Sequence, residues 1–280
     1  MQLIIISGRS GSGKTITLNL LEDLGYYCID NLPLSLLPEL IDKLKNDYQK
    51  LAVSIDARNL QDKLRQFDQI FTSVKKTCDD CQIIFLDAEN DSLLKRFSET
   101  RRKHPLTDET TSLENALNTE HQLLQPIIEY ADLSINTSTL SIHELRDYVR
   151  NCIHQPSTSI LLLFQSFGYK FGVPNDSNFI FDSRCLPNPY WQEKLCALTG
   201  LDQNVIDYLE KFDQTHTMYE MIKKYLETWL PDFATEDRRY LTVSIGCTGG
   251  QHRSVYLTEK LKNHFLKEKK NVFIRHRDLS

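Results

Sequence analysis

In the first half of the chain, short continuous apolar runs alternate with longer segments in which apolar residues return every three or four positions. The short runs, residues 3–7, 26–29, 51–55, 83–86 and 131–135, have the make-up of strands buried on both faces. The longer segments read as helices. In the first, Ile16, Leu18, Leu20, Leu21 and Leu24 are apolar and Gly25 is the stop; then come 36–44, a stretch ending at Val74, 92–103, 113–130 and 141–152. Such alternation predicts an α/β fold, a parallel sheet covered by helices on both faces. Ligands of these sheets gather at the carboxyl ends of the strands, where Gly8, Asp30, Asp56 and Asp87 all fall.

The pattern restarts after Pro156-Ser157-Thr158-Ser159, the expected linker. A strand at 160–164 leads into a turn-rich stretch at 167–174, and then 181–189 offers Asp182 and Arg184 as a polar pair. Residues 208–229 read as one helix with a core stripe, 240–245 as a strand, and a last helix runs to Lys267. Two domains are expected: a nucleotide-binding unit at 1–154 and a smaller α/β unit at 159–280. The length of 280 residues agrees, at roughly 150 residues per domain.

Composition narrows the class. Forty per cent apolar and 25% charged residues describe a globular chain, and no apolar stretch approaches the ~20 residues of a membrane span. Met1 leads straight into the first strand, which leaves no room for a signal peptide, so a cytoplasmic protein is expected. Seven cysteines, an odd and scattered set, fit reduced thiols; Cys78 and Cys81 lack the second pair that a zinc site needs. A net charge of −5 means that any nucleic-acid affinity must come from a local patch.

The first strand opens into Gly8-Arg9-Ser10-Gly11-Ser12-Gly13-Lys14-Thr15, the phosphate-loop spacing. Glycines let backbone N–H groups turn around phosphate oxygens, and the next helix adds the positive end of its dipole. Lys14 would reach the β- and γ-phosphates and Thr15 would hold Mg²⁺. Two acids compete to organise that ion, Asp56 and Asp87, and one of them is a polar strand end. Arg101-Arg102-Lys103-His104-Pro105 stands where an arginine-bearing lid would lie, and a solvated helix end explains it equally well.

A second loop repeats the logic in Gly246-Cys247-Thr248-Gly249-Gly250-Gln251-His252-Arg253-Ser254. Strand, glycine-rich loop and helix N-terminus form a phosphate or carboxylate pocket, with Arg253 offering a planar fork of donors. The spacing from Cys247 to Arg253 also matches the cysteine-phosphatase loop, in which a thiolate attacks phosphorus. Gly246 stands where those enzymes usually carry His, so binding without chemistry is the preferred reading.

With both loops in view, the chain resembles the RapZ/YvcJ family of bacterial P-loop proteins from end to end. The resemblance rests on the first loop, on Tyr27-Cys28-Ile29-Asp30-Asn31-Leu32-Pro33 and on Val53-Ser54-Ile55-Asp56-Ala57-Arg58-Asn59. In the second half it rests on Phe181-Asp182, Leu186-Pro187-Asn188-Pro189 and the second loop. It implies ATP and GTP binding with weak hydrolysis, ATP at residues 8–15 and a GTP-associated motif at Asp56, Ala57, Arg58 and Asn59. For some members it implies an adaptor that presents a small RNA to an endoribonuclease. In these the C-terminal domain resembles a sugar-phosphate-binding fold and senses glucosamine 6-phosphate. Those members carry Lys where this chain has Gln251, His where it has Tyr190, and a basic extension beyond Arg275-His276-Arg277-Asp278-Leu279-Ser280.

The expectation is a cytoplasmic, homo-oligomeric regulator that binds ATP or GTP with Mg²⁺ and senses a sugar phosphate. A P-loop metabolite kinase, favoured by Asp30 and the lid residues, is the first rival. An RNA-binding adaptor with a vestigial nucleotide site is the second.

Overall fold

The computed structural model describes residues 1–59, 64–153, 160–235, 238–268 and 271–279. The expected linker at 156–159 lies outside the described residues. The chain divides into two compact units, residues 1–153 and 154–280.

In the first unit, β1 (Gln2–Gly8) stands at the centre of a five-stranded sheet with β2 (Tyr27–Ile29), β3 (Lys50–Ile55), β4 (Asp80–Asp87) and β5 (Leu133–Asn136). Every pairing is parallel, in the order β2-β3-β1-β4-β5. Leu3, Ile4, Ile5 and Ile6 are all buried, so the central strand is apolar on both faces. The helices are α1 (Lys14–Asp23), α2 (Leu37–Leu44), α3 (Leu64–Thr77), α4 (Asn90–Thr100), α5 (Leu113–Tyr130) and α6 (Ile142–Ile153). On one face Ile5, Val53 and Phe85 pack with Ile41, Phe71 and Leu124; α1 and α6 pair with each other. Ser141 and Glu144 start α6 with a reciprocal capping box, Ser141 N–H donating to Glu144 Oε2 at 2.7 Å and Glu144 N–H to Ser141 Oγ at 3.2 Å.

One boundary is corrected. Sequence periodicity carries the fourth helix to Lys103, but α4 ends at Thr100. Arg101 takes a left-handed φ of 53°, and its N–H caps Phe97 O, which turns the chain out of the helix.

The second unit repeats the architecture on a smaller scale. Its strands β6 (Leu161–Gly168), β7 (Phe179–Asp182), β8 (Tyr240–Cys247) and β9 (Asn271–His276) form a parallel sheet ordered β7-β8-β6-β9. The helices are α7 (Gln203–Leu209), α8 (Asp213–Thr235) and α9 (Arg253–Lys267). The single helix expected at 208–229 is therefore two, and β7 and β9 were not expected. Both are edge strands, short or half-exposed, and their continuous apolar runs are only three residues long, 179–181 and 272–274. Among the described residues no helix is long and apolar enough to cross a membrane.

Candidate functional site

The phosphate-loop sequence joins β1 to α1 as its spacing predicts. Gly8, Gly11 and Gly13 have φ of 145°, 85° and 110°, a backbone path that side-chain-bearing residues resist. Gly8 has a second constraint, because a Cβ there would lie 2.1 Å from Leu86 O of the neighbouring strand. The loop and the start of α1 border a cavity of about 810 Å³. Lys14 lines it, with Nζ donating to Gly8 O at 2.7 Å and Arg9 O at 3.2 Å and lying 3.1 Å from Asp56 Oδ1.

The two competing acids differ in what they face. Asp56 lines the cavity with Thr15, and its second oxygen accepts from Arg58 Nη2 at 2.8 Å. Burial works against its charge, but Lys14 and Arg58 together hold its carboxyl below the ordinary value. Asp87 accepts the N–H of Ala88 at 2.8 Å and lies 3.8 Å from Arg9; burial raises its pKa. It does not border the cavity. Of the lid candidates, Arg102 and Lys103 border the cavity and Arg101 does not. Ala57 is buried and Arg58 is half-exposed on the cavity wall.

Arg9 lies within the expected nucleotide loop, yet its side chain turns away from the cavity. Buried to 5% exposure, it donates to Ala88 O at 2.9 Å and Leu117 O at 3.3 Å and bonds Asn90. Three residues complete the support: Glu120 and Arg96, which sequence reasoning missed, and His104, which it placed in the lid stretch. Glu120, on α5, accepts from Ser10 N at 2.9 Å and Ser10 Oγ at 2.6 Å. Behind it, His104 takes the Leu106 N–H on Nδ1 at 3.1 Å, so Nε2 carries the proton and donates to Glu120 at 3.1 Å. Burial opposes the Glu120 charge, but the donors of His104 and Ser10 hold its carboxyl below the ordinary value. Arg96 donates to Gly11 O at 3.0 Å and to Thr137 Oγ1 at 3.0 Å. A signal for Glu120 was present: it falls on the helix face of Ala116, Leu117, Leu124 and Ile127, a charge inside an apolar stripe.

The second loop joins β8 to α9, again at the carboxyl end of a strand. Its centre is filled by the sulfur of Cys247, which accepts the Gly250 N–H at 3.2 Å and contacts Ser254 Oγ at 3.1 Å. Burial opposes the thiolate, but these donors and the His252 backbone hold the thiol below its ordinary pKa. Arg253 is 4% exposed and spends Nη1 on Arg184 O at 2.9 Å and Leu186 O at 3.0 Å; Nη2 reaches Thr248 Oγ1 at 3.3 Å. His252 is buried against Leu195 O, and Gly249 and Gly250 press on Gly168 so closely that a Cβ at Gly168 would meet Gly249 at 2.7 Å. Asp182 and Arg184 pair as expected, at 2.7 Å, beside the Tyr169 ring.

The basic end of the chain is partly consumed. Arg275 lies 3.7 Å from Asp176, His276 bonds Ser166 and Glu259, and Arg277 pairs with Asp278 and the Gly172 carbonyl. The cysteines among the described residues are all free thiols.

A family model described as the RapZ-like N-terminal domain matches residues 1–156, and one described as the RapZ C-terminal domain matches residues 160–280. A relative from Ectopseudomonas mendocina, named a nucleotide-binding protein, is 52% identical over 285 residues, covering 100% of both chains. A relative of the same name from Hahella chejuensis is also 52% identical, with 100% of both covered. The crystal structure of YorR from Bacillus subtilis, in complex with phosphorylated GDP, is similar at 19% identity and a TM-score of 0.38, covering 53% of this chain and 94% of that one. Shikimate kinase from Bacteroides thetaiotaomicron is similar at 15% identity and a TM-score of 0.35, with 53% and 94% covered.

Proposed function

We propose, from the premise that the chain belongs to the RapZ family over both of its units, that it is a nucleotide-binding regulatory protein. The nucleoside triphosphate, ATP or GTP, lies with its phosphates on residues 8–15. Thr15 and Asp56, both on the cavity lining, would offer hard oxygen ligands to Mg²⁺, which would supply positive charge to neutralise the phosphates. Lys14 supplies the fixed counter-charge. Slow hydrolysis to the diphosphate follows from this set of groups.

One observation carries the reading: the Lys14 ammonium, bound to two loop carbonyls, pairs with Asp56 at 3.1 Å on the lining of a cavity of about 810 Å³. The names of the 52% identical relatives support it. Calorimetric titration with ATP and GTP, with and without Mg²⁺, tests it. Asp56→Asn should weaken the Mg²⁺-dependent part of binding about tenfold more than Asp87→Asn. The reverse ranking moves the metal role to Asp87.

The finer reading gives the second unit a sensing role for a sugar phosphate, glucosamine 6-phosphate, bound against the loop of Thr248 and Gly249. The ligand should raise the unfolding temperature of the full chain, and glucosamine should not. The adaptor role toward a small RNA and an endoribonuclease rests on lysines such as Lys267, which is exposed, because the terminal arginines are engaged internally.

A further inference from the structure

The cavity over the phosphate loop has two unlike flanks, and strand order separates them. On the β4–β5 side the wall combines Leu140, Ile142 and Leu145, which follow β5, with the charged Arg96, Arg102 and Lys103, which follow β4. Its apolar residues suit the flat face of a nucleoside. On the opposite side, where β3 and β2 lie, the wall is Asp30, Asp56 and Arg58. A nucleotide whose phosphates rest on the loop between the flanks, with its base against Leu140, Ile142 and Leu145, leaves the Asp30 flank open beside its γ-phosphate.

The polar flank carries more functional groups than a metal ligand requires. Asp56 is engaged by two cations, Lys14 at 3.1 Å and Arg58 at 2.8 Å. Asp30 has a different environment. The Ser54 hydroxyl donates to its Oδ1, and Ser54 in turn receives the Asn31 N–H at 2.8 Å. Among the described residues Asp30 Oδ2 accepts no hydrogen bond, and Asp30 lines the cavity. Among the described residues Arg58, which also lines the cavity, donates only Nη2, to Asp56.

We propose that Asp30 and Arg58 form an acceptor subsite for phosphoryl transfer, taking a small metabolite that bears a hydroxyl and an anionic group. The proposal rests on the nucleotide reading above and deepens it. Arg58 holds the anionic group with its planar donors. Asp30 accepts the proton of the hydroxyl as its oxygen attacks the γ-phosphorus. The bond from that phosphorus to the β-phosphate oxygen breaks, the electron pair leaves with the nucleoside diphosphate, and the proton passes from Asp30 to water. Water in the place of the acceptor accounts for slow hydrolysis by the same groups.

The test incubates the full chain with Mg²⁺, ATP radiolabelled at its γ-phosphate and the protein-free small-molecule filtrate of a bacterial extract, then separates labelled products. A labelled organic anion distinct from inorganic phosphate is expected, and it should vanish in Lys14→Ala. Asp30→Asn, shown by circular dichroism to be folded, should lower its yield about a hundredfold. Arg58→Ala should lower it about tenfold in dilute filtrate and recover as the filtrate is concentrated, as weakened acceptor binding requires. Label found only in inorganic phosphate overturns the proposal, as does a labelled product that Asp30→Asn leaves undiminished. ATP binding measured on the same preparation separates two failures. A chain that does not bind ATP defeats the nucleotide reading, whereas one that binds it and labels only phosphate defeats the acceptor subsite alone.

Discussion

The two strand–loop–helix junctions, β1 to α1 and β8 to α9, look alike in sequence and differ in where their internal acceptor sits. In the first, the Glu120 carboxylate comes from α5, takes the Ser10 N–H and hydroxyl from outside, and leaves the inside of the loop open to a cavity. In the second, the acceptor is the loop's own Cys247 sulfur, which takes the Gly250 N–H and contacts the Ser254 hydroxyl from within. The cations diverge in the same way. Lys14 faces the cavity and an acid, while Arg253 turns one nitrogen onto two backbone carbonyls. A helix N-terminus favours an anion in both places. What fills the loop decides whether a phosphate from solution can occupy the centre.

The largest difference should come from adding a methyl group to the glycine that ends each strand's approach. Gly8→Ala drives a Cβ into Leu86 O of a paired strand, at 2.1 Å, and that carbonyl cannot yield without breaking the sheet. A loss of about 4 kcal/mol or more is expected, read as early hydrogen exchange across β1. Gly246→Ala meets the Phe167 and Tyr169 rings at 2.4 and 2.5 Å, and rings can swing. About 1–3 kcal/mol is expected there. Equal losses would show that both junctions are equally rigid.

Exchanging the cations' roles comes next. Lys14→Ala should weaken ATP binding about a hundredfold, about 2.7 kcal/mol, and barely change stability. Arg253→Ala should do the opposite, leaving ATP affinity within twofold while lowering stability by about 2–3 kcal/mol, since the Arg184 and Leu186 carbonyls lose a charged donor. Titration calorimetry and urea unfolding of both variants check the pair.

The outside acceptor has a pH signature. Glu120 is held below its ordinary 4.5, so its folded pKa is depressed. The stability it contributes is present above that value and is lost as pH falls through the folded pKa. Glu120→Gln should therefore cost about 1–2 kcal/mol at neutral pH and flatten the acid limb below pH 4.5. An acid limb identical to that of the parent would mean that the carboxylate is not held by Ser10 and His104.

The smallest effect is expected at the inside acceptor. Cys247→Ser keeps a short polar group at the loop centre and should cost about 1 kcal/mol. The shift in unfolding temperature with glucosamine 6-phosphate should survive. Phosphate release from sugar phosphates that disappears in this variant would instead make the sulfur a nucleophile and the second loop a phosphatase site.

Much of the architecture was legible in local pattern. The five strands of the first unit show as apolar runs, and 113–130 marks α5 to the residue because Ser112 caps it and Ala131 leaves the helical region. The edge strands β7 and β9 were illegible because each offers only three consecutive apolar residues, 179–181 and 272–274, too short a run to mark a strand by itself. The split between α7 and α8 was hidden for a related reason: Tyr208 and Phe212 carry an aromatic stripe across the break.

By itself the sequence determined the α/β alternation, both glycine loops and their placement at strand ends, and the family to which the chain belongs. These follow from spacing along the chain, because backbone freedom, helix starts and apolar periodicity are properties of neighbouring residues. Only the tertiary structure decided which acid faces the cavity, since Asp56 and Asp87 both end apolar strands and differ in the cations that reach them. It alone brought Glu120 and His104 behind Ser10, across more than a hundred residues from the loop to α5. It also turned Arg9 and Arg253 inward, where each satisfies buried carbonyls. A side chain's direction is set by what remains unpaired around it after the sheet and helices have closed, and that remainder is not written in any one stretch of the chain.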